Sequence, residues 1–406
     1  MNVVFVEPAF PANQREFVRG LAAIGSRVIG VGERPLEALD GELKSWLAGY
    51  ERVSSVVDPE ALKAAVERIQ RAVWVDRLEA TVEAHILCAA QVREACRIPG
   101  TSVRTAWLCR DKPTMKQALR EVGVPCAQSA AIDSLAAARE FAERVGFPLI
   151  IKPRSGAGAA GTSRVDDAQG LSRALAEHGI GRGGSAAIEE FIEGHEGFID
   201  TITRGGEVVH EFISHYYPNV LEAMRERWIS PQIVATNRIQ APGYQELRAL
   251  AVRVIGVLGI ENSATHMEWF FGPKGLRFSE IGCRPPGVGQ WDVYAAANEF
   301  DIFREWALAV TGARPEQAPS RHYAGGMIAL RPDRDGRIVG YEGLDRIHAR
   351  FGDCIVAAYL PPAGTPTQPI EAGYMANAWM RMRHPDYDAL RTILSTVGET
   401  VRVRAA

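Results

Sequence analysis

Two glutamates, Glu268 and Glu280, have the spacing that most clearly indicates chemistry. They lie in the segment HMEWFF-GPKG-LRFSEIG, where Pro273 and Gly275 favour a tight turn between two strands. A three-residue loop centred on Lys274 would place the two carboxylates opposite each other. Carboxylates roughly 5 Å apart on one sheet face repel each other unless a proton or a cation lies between them. Magnesium fits this position, because it binds a few carboxylate oxygens and completes its shell with water and phosphate oxygens. The alternative is that both glutamates are solvated on an exposed face.

A lysine and a glycine-rich loop indicate a phosphate site. Lys152 ends the apolar run PLII, and the loop SGAGAAG that follows contains Gly156, Gly158 and Gly161. Because glycine has no Cβ, backbone N–H groups of such a loop can approach phosphate oxygens closely. The GK[ST] pattern of a P-loop is missing, and a flexible turn is the alternative.

The elements before these residues alternate between strands and helices. Up to about Arg104, short apolar runs (VVFVEP, SRVIGVG, AVWVD) alternate with helical stretches, which is typical of βαβ units on a parallel sheet. No GxGxxG follows the first strand, so a dinucleotide fingerprint is absent. We therefore predict an α/β fold that begins with a parallel βαβ domain.

The rest of the chain predicts two further parts. A helix in KPTMKQALREVGVP, a βα pattern, a hairpin turning at Gly205-Gly206 and the carboxylate hairpin precede about Pro315. Residues 214–245 have no clean period and are predicted to be a long loop. Short strand-like runs after Pro315 predict a small C-terminal β-rich subdomain. The predicted domains are 1–104, 105–314 and 315–406.

Composition narrows the class of partner. The 406 residues include 46 basic and 49 acidic ones, and no dense basic run favours nucleic acid or an anionic membrane. The N-terminus has no signal-peptide pattern, so a cytoplasmic protein is expected. Six cysteines lack metal-ligand spacing. A small-molecule site is the expectation.

Four segments, in order over residues 105–310, resemble the ATP-grasp fold. RDKPTMKQALREVGVP resembles the segment with the first nucleotide-binding lysine, and FPLIIKPRSGAGAAG the second lysine with its mobile loop. AAIEEFIEGHE resembles the strand that holds adenine, and HMEWFF through SEIGCR the metal-binding hairpin. The resemblance lies in their shared order and spacing.

The resemblance implies a set of site residues for ATP and magnesium. Lys112 and Lys152 would contact phosphates under the glycine loop. Glu189 would accept a hydrogen bond from the adenine amino group, and the Ile192 backbone N–H would bind the ring. Glu196 would bind ribose. The implied nucleotide residues are Lys112, Lys152, Gly156, Gly158, Gly161, Glu189, Ile192 and Glu196.

The same resemblance implies the metal and catalytic residues. Glu268 and Glu280 would bind Mg²⁺, while Arg284 and Lys152 would act in catalysis. Many family members have Asn two residues after the second glutamate, where this chain has Gly282. The shell of a second magnesium ion would therefore depend more on water or on Glu280.

The implied activity is that of a carboxylate–amine ligase resembling the L-amino-acid ligases. It would use ATP and Mg²⁺ to join a small-molecule carboxylate to an amine, both expected to be amino acids, without nucleic acid or membrane. A homodimer is left open. Arg225, Arg227 and Arg238 are candidates for binding a substrate carboxylate, each with solvation as the alternative. The alternative functions are a biotin carboxylase-like enzyme that activates bicarbonate and, because of Gly282, a non-catalytic ATP-binding protein.

Overall fold

The computed structural model describes residues 1–156, 161–369 and 377–406. The helices within these ranges are α1 (Gln14–Ala23), α2 (Gly41–Trp46), α3 (Pro59–Ala72), α4 (Ile86–Cys96), α5 (Val103–Leu108), α6 (Lys112–Glu121), α7 (Leu135–Val145), α8 (Ala168–Glu177), α9 (Val220–Ala223), α10 (Gln245–Leu258), α11 (Gln290–Asn298), α12 (Ile302–Val310), α13 (Leu344–Phe351) and α14 (Tyr387–Thr400). None of these helices is long and apolar enough to cross a bilayer.

The strands in the same ranges form four sheets. They are β1 (Asn2–Val6), β2 (Arg27–Gly32), β3 (Leu47–Arg52), β4 (Arg77–Glu79), β5 (Ser129–Ile132), β6 (Leu149–Lys152), β7 (Ser163–Val165), β8 (Ala186–Glu190), β9 (His195–Arg204), β10 (Glu207–Tyr217), β11 (Gln232–Ala235), β12 (Ser263–Gly272), β13 (Gly275–Gly282), β14 (Ala324–Leu330), β15 (Ile338–Glu342), β16 (Ile355–Tyr359), β17 (Ala378–His384) and β18 (Arg402–Ala405).

The N-terminal sheet is parallel, with the order β3-β2-β1-β4. Strand β1 is an almost continuous buried apolar run, as expected for a parallel strand covered on both faces. The predicted βαβ pattern is confirmed, but two details were wrong. Strand β3 was not predicted. The strand predicted at AVWVD begins directly after those residues, as β4. Helix α3 continues to Ala72, so the apolar residues after it form the connection between the helix and β4.

A small antiparallel sheet, β5-β8-β6-β7, packs against α7 and α8 over its own hydrophobic core. In the pairing of β6 with β8, Ile150 lies opposite Glu189 and Lys152 opposite Ala187. Because side chains alternate along a strand, Lys152 and Glu189 share one face. That face lies against the larger sheet and forms one wall of the site.

The largest sheet has eight strands in the order β13-β12-β9-β10-β11-β14-β17-β16. The predicted turn between β9 and β10 is confirmed: Gly205 and Gly206 have φ values of +58° and +82°, a positive pair that suits a two-residue hairpin turn. The sheet joins strands from both sides of residue 314, and the domain division at 104 and 314 stays a prediction. The mixed α/β fold class is confirmed.

The prediction of a loop over residues 214–245 was wrong. Strand β10 continues to Tyr217, α9 follows, and β11 pairs with both β10 and β14. The four residues of β11 are buried between two neighbouring strands. Pairing partners that are distant in sequence stabilise this segment, and no local period reveals them.

Candidate active site

Glu268 and Glu280 lie directly opposite each other on β12 and β13, as predicted. The turn differs from the predicted three-residue loop. Gly272 pairs with Gly275, which leaves a two-residue turn, and Ser279 is the extra residue of a β-bulge. The bulge shifts the register by one residue and restores the pairing that the longer loop would have given.

His266 was not among the predicted catalytic residues, yet it lines the site beside Glu268. Its Nδ1 lies 2.7 Å from Asp200 Oδ1, and its Nε2 lies 3.6 Å from Glu268 Oε1. Burial alone would lower the pKa of His266, but the Asp200 carboxylate outweighs burial and raises the pKa to about 9. The imidazolium therefore holds Glu268 in place from the side. The alternation of the strand, which puts residues 266 and 268 on one face, was the available signal.

Two lysines converge on Glu280. Lys112 Nζ lies 3.5 Å and Lys152 Nζ 3.7 Å from Glu280 Oε2. Lys112 begins α6, where Asp111 caps the helix by accepting from the Thr114 N–H at 3.1 Å. Burial would lower the pKa of Lys152, but the carboxylates of Glu189 and Glu280 outweigh it and raise the pKa above its ordinary value. The two ammonium groups would therefore be available to bind phosphate oxygens beside a metal held by Glu280.

Glu189 is bound by two cations rather than one. Its Oε2 accepts from Lys116 Nζ at 2.6 Å and from Lys152 Nζ at 2.9 Å. Burial would raise the pKa of Glu189, but the two ammonium groups lower it to about 2. Its Oε1 is buried and has no partner among the described residues, so one acceptor position is left for an amino N–H such as that of adenine. Lys116 was not predicted, although it lies one helical turn after Lys112.

Ile192 and Glu196 line the same cavity. Glu196 Oε2 accepts from the Val220 N–H at 2.7 Å. Burial, followed by the neighbouring Glu268 charge, raises the pKa of Glu196 to about 8. The structure brings both residues to the site, while their adenine and ribose roles stay predictions.

The glycine-rich loop is described in part. Gly156 has φ +123°, and its carbonyl accepts from Lys112 Nζ at 2.8 Å. Gly161 has φ +68° and precedes Thr162, which lines the cavity. Gly158 lies outside the described residues. Both described glycines adopt backbone conformations that L-residues rarely reach.

Arg284 is held by a residue from the N-terminal part of the chain. Arg284 Nε donates to Glu83 Oε2 at 3.0 Å, and Arg110 NH1 donates to the Glu83 backbone carbonyl at 2.7 Å. A Cβ on Gly282 would lie only 3.3 Å from Glu83 Oε2 and 3.4 Å from Arg284 Cγ. The space next to Gly282 is therefore filled by the carboxylate of Glu83, which sequence reasoning did not single out.

A cavity of about 1260 Å³ connects these groups and reaches both terminal parts of the chain. Arg225, one of the three predicted carboxylate-binding arginines, lines it. The other two pair with surface acids instead: Arg227 with Asp335, and Arg238 with Asp386 and Asp388. Arg381, which was not predicted, lines the cavity from β17.

The side chains fit a nucleoside triphosphate and a magnesium ion. The lysines and the glycine-rich loop are suited to phosphates, and the orphaned Glu189 oxygen is suited to an adenine amino group. Within the described ranges, no three His, Cys, Asp or Glu side chains are arranged to hold a metal by themselves. Two facing glutamates are nevertheless sufficient for magnesium, which takes its remaining ligands from water and phosphates.

Residues 117–300 match the model of the ATP-grasp domain family. This segment, just under half of the chain, is similar to ATP-grasp domains. The resemblance read from the four sequence segments is thereby confirmed, and the matched region contains Lys152, Glu189, Glu268, Glu280 and Arg284.

Two curated relatives and one solved structure extend this ATP-grasp assignment. An L-arginine-specific L-amino acid ligase of Bacillus subtilis is 27% identical over 252 residues, 60% of this chain and 60% of that protein. A carbamoyl phosphate synthase large chain of Rubrobacter xylanophilus is 25% identical over 218 residues, 52% of this chain and 20% of that protein. The matches thus span less than two thirds of either relative. The L-amino acid ligase of Bacillus licheniformis has the same fold, with a TM-score of 0.78 at 16% identity over 100% of this chain and 98% of that one.

Proposed function

We propose that this ATP-grasp protein is an ATP-dependent carboxylate–amine ligase that forms an amide bond and releases ADP and phosphate. The observation that carries the proposal is the convergence of Lys112 and Lys152 on Glu280, opposite Glu268 and near Arg284. The name of the Bacillus subtilis relative, an amino acid ligase, supports the choice of an amine as the acceptor.

The first step would activate the carboxylate. A carboxylate oxygen attacks the γ-phosphorus of ATP, the bond to the bridging oxygen breaks, and ADP leaves with that electron pair. Such a transfer depends mainly on alignment and on neutralising phosphate charge. Lys112 and Lys152 supply positive charge at one point. Glu268 and Glu280 would hold the magnesium ion, which neutralises further charge when bound.

The second step would form the amide. The amine nitrogen attacks the acyl carbon, the bond from carbon to the phosphate oxygen breaks, and phosphate leaves while the nitrogen loses a proton. Negative charge grows on the acyl oxygen before the phosphate departs. The Arg284 guanidinium lies in the cavity, where its Nε donates to Glu83 and its NH1 to the Pro285 carbonyl at 2.9 Å, so the N–H groups outside these two contacts would bind that charge.

The two alternative functions differ in what they require. A bicarbonate-activating enzyme would release phosphate with bicarbonate and would need no amino acid. A non-catalytic nucleotide-binding protein would release none. The second alternative was motivated by Gly282, but Glu83 fills that space and holds the proposed catalytic arginine, which favours catalysis.

The test is a product screen with ATP, magnesium and a panel of amino acids, combining phosphate release with mass spectrometry of the products. We expect phosphate and an amide for at least one pair. Glu280→Gln should abolish both by weakening magnesium binding, while Glu193→Gln, on an exposed side chain, should change neither. Phosphate release with bicarbonate and without amino acids would favour the carboxylase instead. ATP binding without turnover across the panel would refute the ligase proposal.

A further inference from the structure

The proposed chemistry uses one part of the cavity and leaves another part unexplained. Arg381 lines the cavity from β17, in the C-terminal part of the chain. It is 13% exposed, whereas Arg225, the predicted carboxylate-binding residue in the same cavity, is an exposed side chain. A guanidinium shielded from water binds an anion more strongly than a solvated one.

Three neighbours fix the Arg381 side chain. Asp292 Oδ2, in the first turn of α11, accepts from Arg381 NH1 at 2.7 Å. The guanidinium carbon lies 4.2 Å from the centre of the Trp379 ring. Gly289 has φ +67°, and a Cβ there would lie 1.9 Å from Arg381 NH2. The glycine is therefore required for the guanidinium to occupy its position.

Asp292 does not use all the donors of Arg381. An arginine side chain has five N–H donors, and the contact to Asp292 engages NH1. Nε is buried and has no acceptor among the residues that the structure describes. The Arg381 side chain as a whole lines the cavity, and its donors beyond the Asp292 contact are suited to a second carboxylate, which arginine can bind through two parallel hydrogen bonds.

The proposed reaction limits which carboxylate this can be. The carboxylate that is activated must lie beside Lys152 and Glu280, where the phosphates bind. A carboxylate at Arg381 must then belong to the other substrate. Four residues separate Arg284 from Gly289, which contacts Arg381, so the backbone between the two regions spans at most ~18 Å, and both arginines line the same cavity.

We propose that Arg381 binds the free carboxylate of the amine substrate, so that the acceptor is an amino acid rather than a simple amine. This inference rests on the proposed function. It assigns acceptor selection to a residue of the C-terminal strand β17, outside the residues that match the ATP-grasp family model.

The experiment compares each acceptor with its own amide. Glycine, β-alanine, γ-aminobutyrate, L-alanine and glycylglycine are each tested beside the corresponding C-terminal amide, with the carboxylate substrate and ATP held constant. The wild-type protein should prefer the acid in kcat/KM by about 10- to 100-fold, as expected for a hydrogen-bonded charged contact. Arg381→Gln should lose that factor for the acid while changing the amide less than threefold. Arg381→Lys should restore part of the preference.

Two further variants serve as controls. One tests whether a loss of stability explains the effect, and the other tests whether Arg225 binds the carboxylate instead. Arg383 follows on the same face of β17 and donates to the Ala296 carbonyl at 2.7 Å, so Arg383→Gln perturbs the strand without touching the cavity charge. It should lower the melting temperature and keep the acid preference. Arg225→Gln should also keep it.

The outcomes distinguish a failure of the proposed Arg381 role from a failure of the proposed ligase function. Equal losses for acids and amides in Arg381→Gln would assign Arg381 to structure and overturn the inference alone. Loss of the acid preference in Arg225→Gln instead would assign the contact to Arg225. A wild-type protein that forms no amide with any acceptor would overturn the proposed function, and the inference with it.

Discussion

Gly282→Asn tests whether Glu83 has taken the space that a side chain at position 282 would otherwise fill. The first atom of the new side chain would lie 3.3 Å from Glu83 Oε2 and 3.4 Å from Arg284 Cγ, and three further heavy atoms lie beyond it. Glu83 must therefore move and release its 3.0 Å hydrogen bond to Arg284 Nε. The Arg284 side chain is 12% exposed and that of Glu83 is 22% exposed, so solvent screens the contact only weakly.

The structure allows the size of the effect to be worked out. A hydrogen bond between charged groups contributes about 1.5–3 kcal/mol. If Arg284 acts only when this bond orients it, the same free energy is lost from the transition state. That loss corresponds to a decrease of about 10- to 150-fold in kcat/KM. Gly282→Ala adds only the Cβ and should cost less.

The assay is steady-state phosphate and amide release for Gly282→Asn, Glu83→Ala and the double variant, with melting temperatures to verify folding. Both single variants should lose the same contact. The double variant should therefore resemble Glu83→Ala, and the two losses should not multiply. A Gly282→Asn protein with wild-type kcat/KM, or a double variant with multiplied losses, would refute the positioning of Arg284 by Glu83.

Two further predictions concern buried groups. Lys116→Met should raise the KM for ATP about tenfold or more, because Glu189 loses one of its two cations and its pKa rises; Gln117→Met, on the exposed side of α6, should leave KM unchanged. An unaltered KM in Lys116→Met would remove Lys116 from the nucleotide site. Burial, followed by the charge of His195, lowers the pKa of His215 to about 3, while the unfolded residue titrates near ~6.5. Between these values the unfolded chain binds one more proton than the folded chain. The free energy of unfolding should therefore decrease as the pH is lowered, by up to ~1.4 kcal/mol per pH unit. His215→Gln should reduce that slope in urea unfolding between pH 7 and pH 5, and an identical slope would contradict this role. The neighbours that face His215 are His195, Tyr217, Tyr244, Trp269, Tyr387 and Arg391.

The pairing of Glu268 with Glu280 across the hairpin could be predicted because it depends on local sequence signals. Turn residues and the alternation of side chains along a strand are both visible in a short segment. The prediction nevertheless reached the right pairing through the wrong turn. The bulge at Ser279 compensates for the shorter loop, and nothing in the segment itself indicates a bulge at that position.

The missed residues share a different cause. Glu83 and Arg381 come from outside the residues that match the family model, and they meet the site only because the chain folds back on itself. Lys116 and His266 lie close in sequence to predicted residues, but an isolated lysine is usually solvated and an isolated histidine is usually structural. Their partners Glu189 and Asp200 identify their roles, and those contacts are tertiary.

The ATP-grasp assignment could be predicted from sequence because the four segments keep their order and spacing. Residues 214–245 could not be assigned for the opposite reason. Strand β11 is only four residues long, and its stability comes from β10 on one side and β14 on the other. A short strand held between two distant partners has no pattern of its own.

The continuous eight-stranded sheet has one more consequence. Glu280 and Arg381 both lie on its strands, so hydrogen-bonded ladders, rather than loops, set the separation between the phosphate end and the acceptor end of the cavity. A rigid sheet of this kind fixes the length of substrate that can occupy both ends of the cavity. Among the residues of β17, Arg381 lines the cavity, and Arg383 on the same face, ~7 Å further along, donates to the Ala296 carbonyl instead. The strand therefore presents its guanidinium to the cavity at one fixed position.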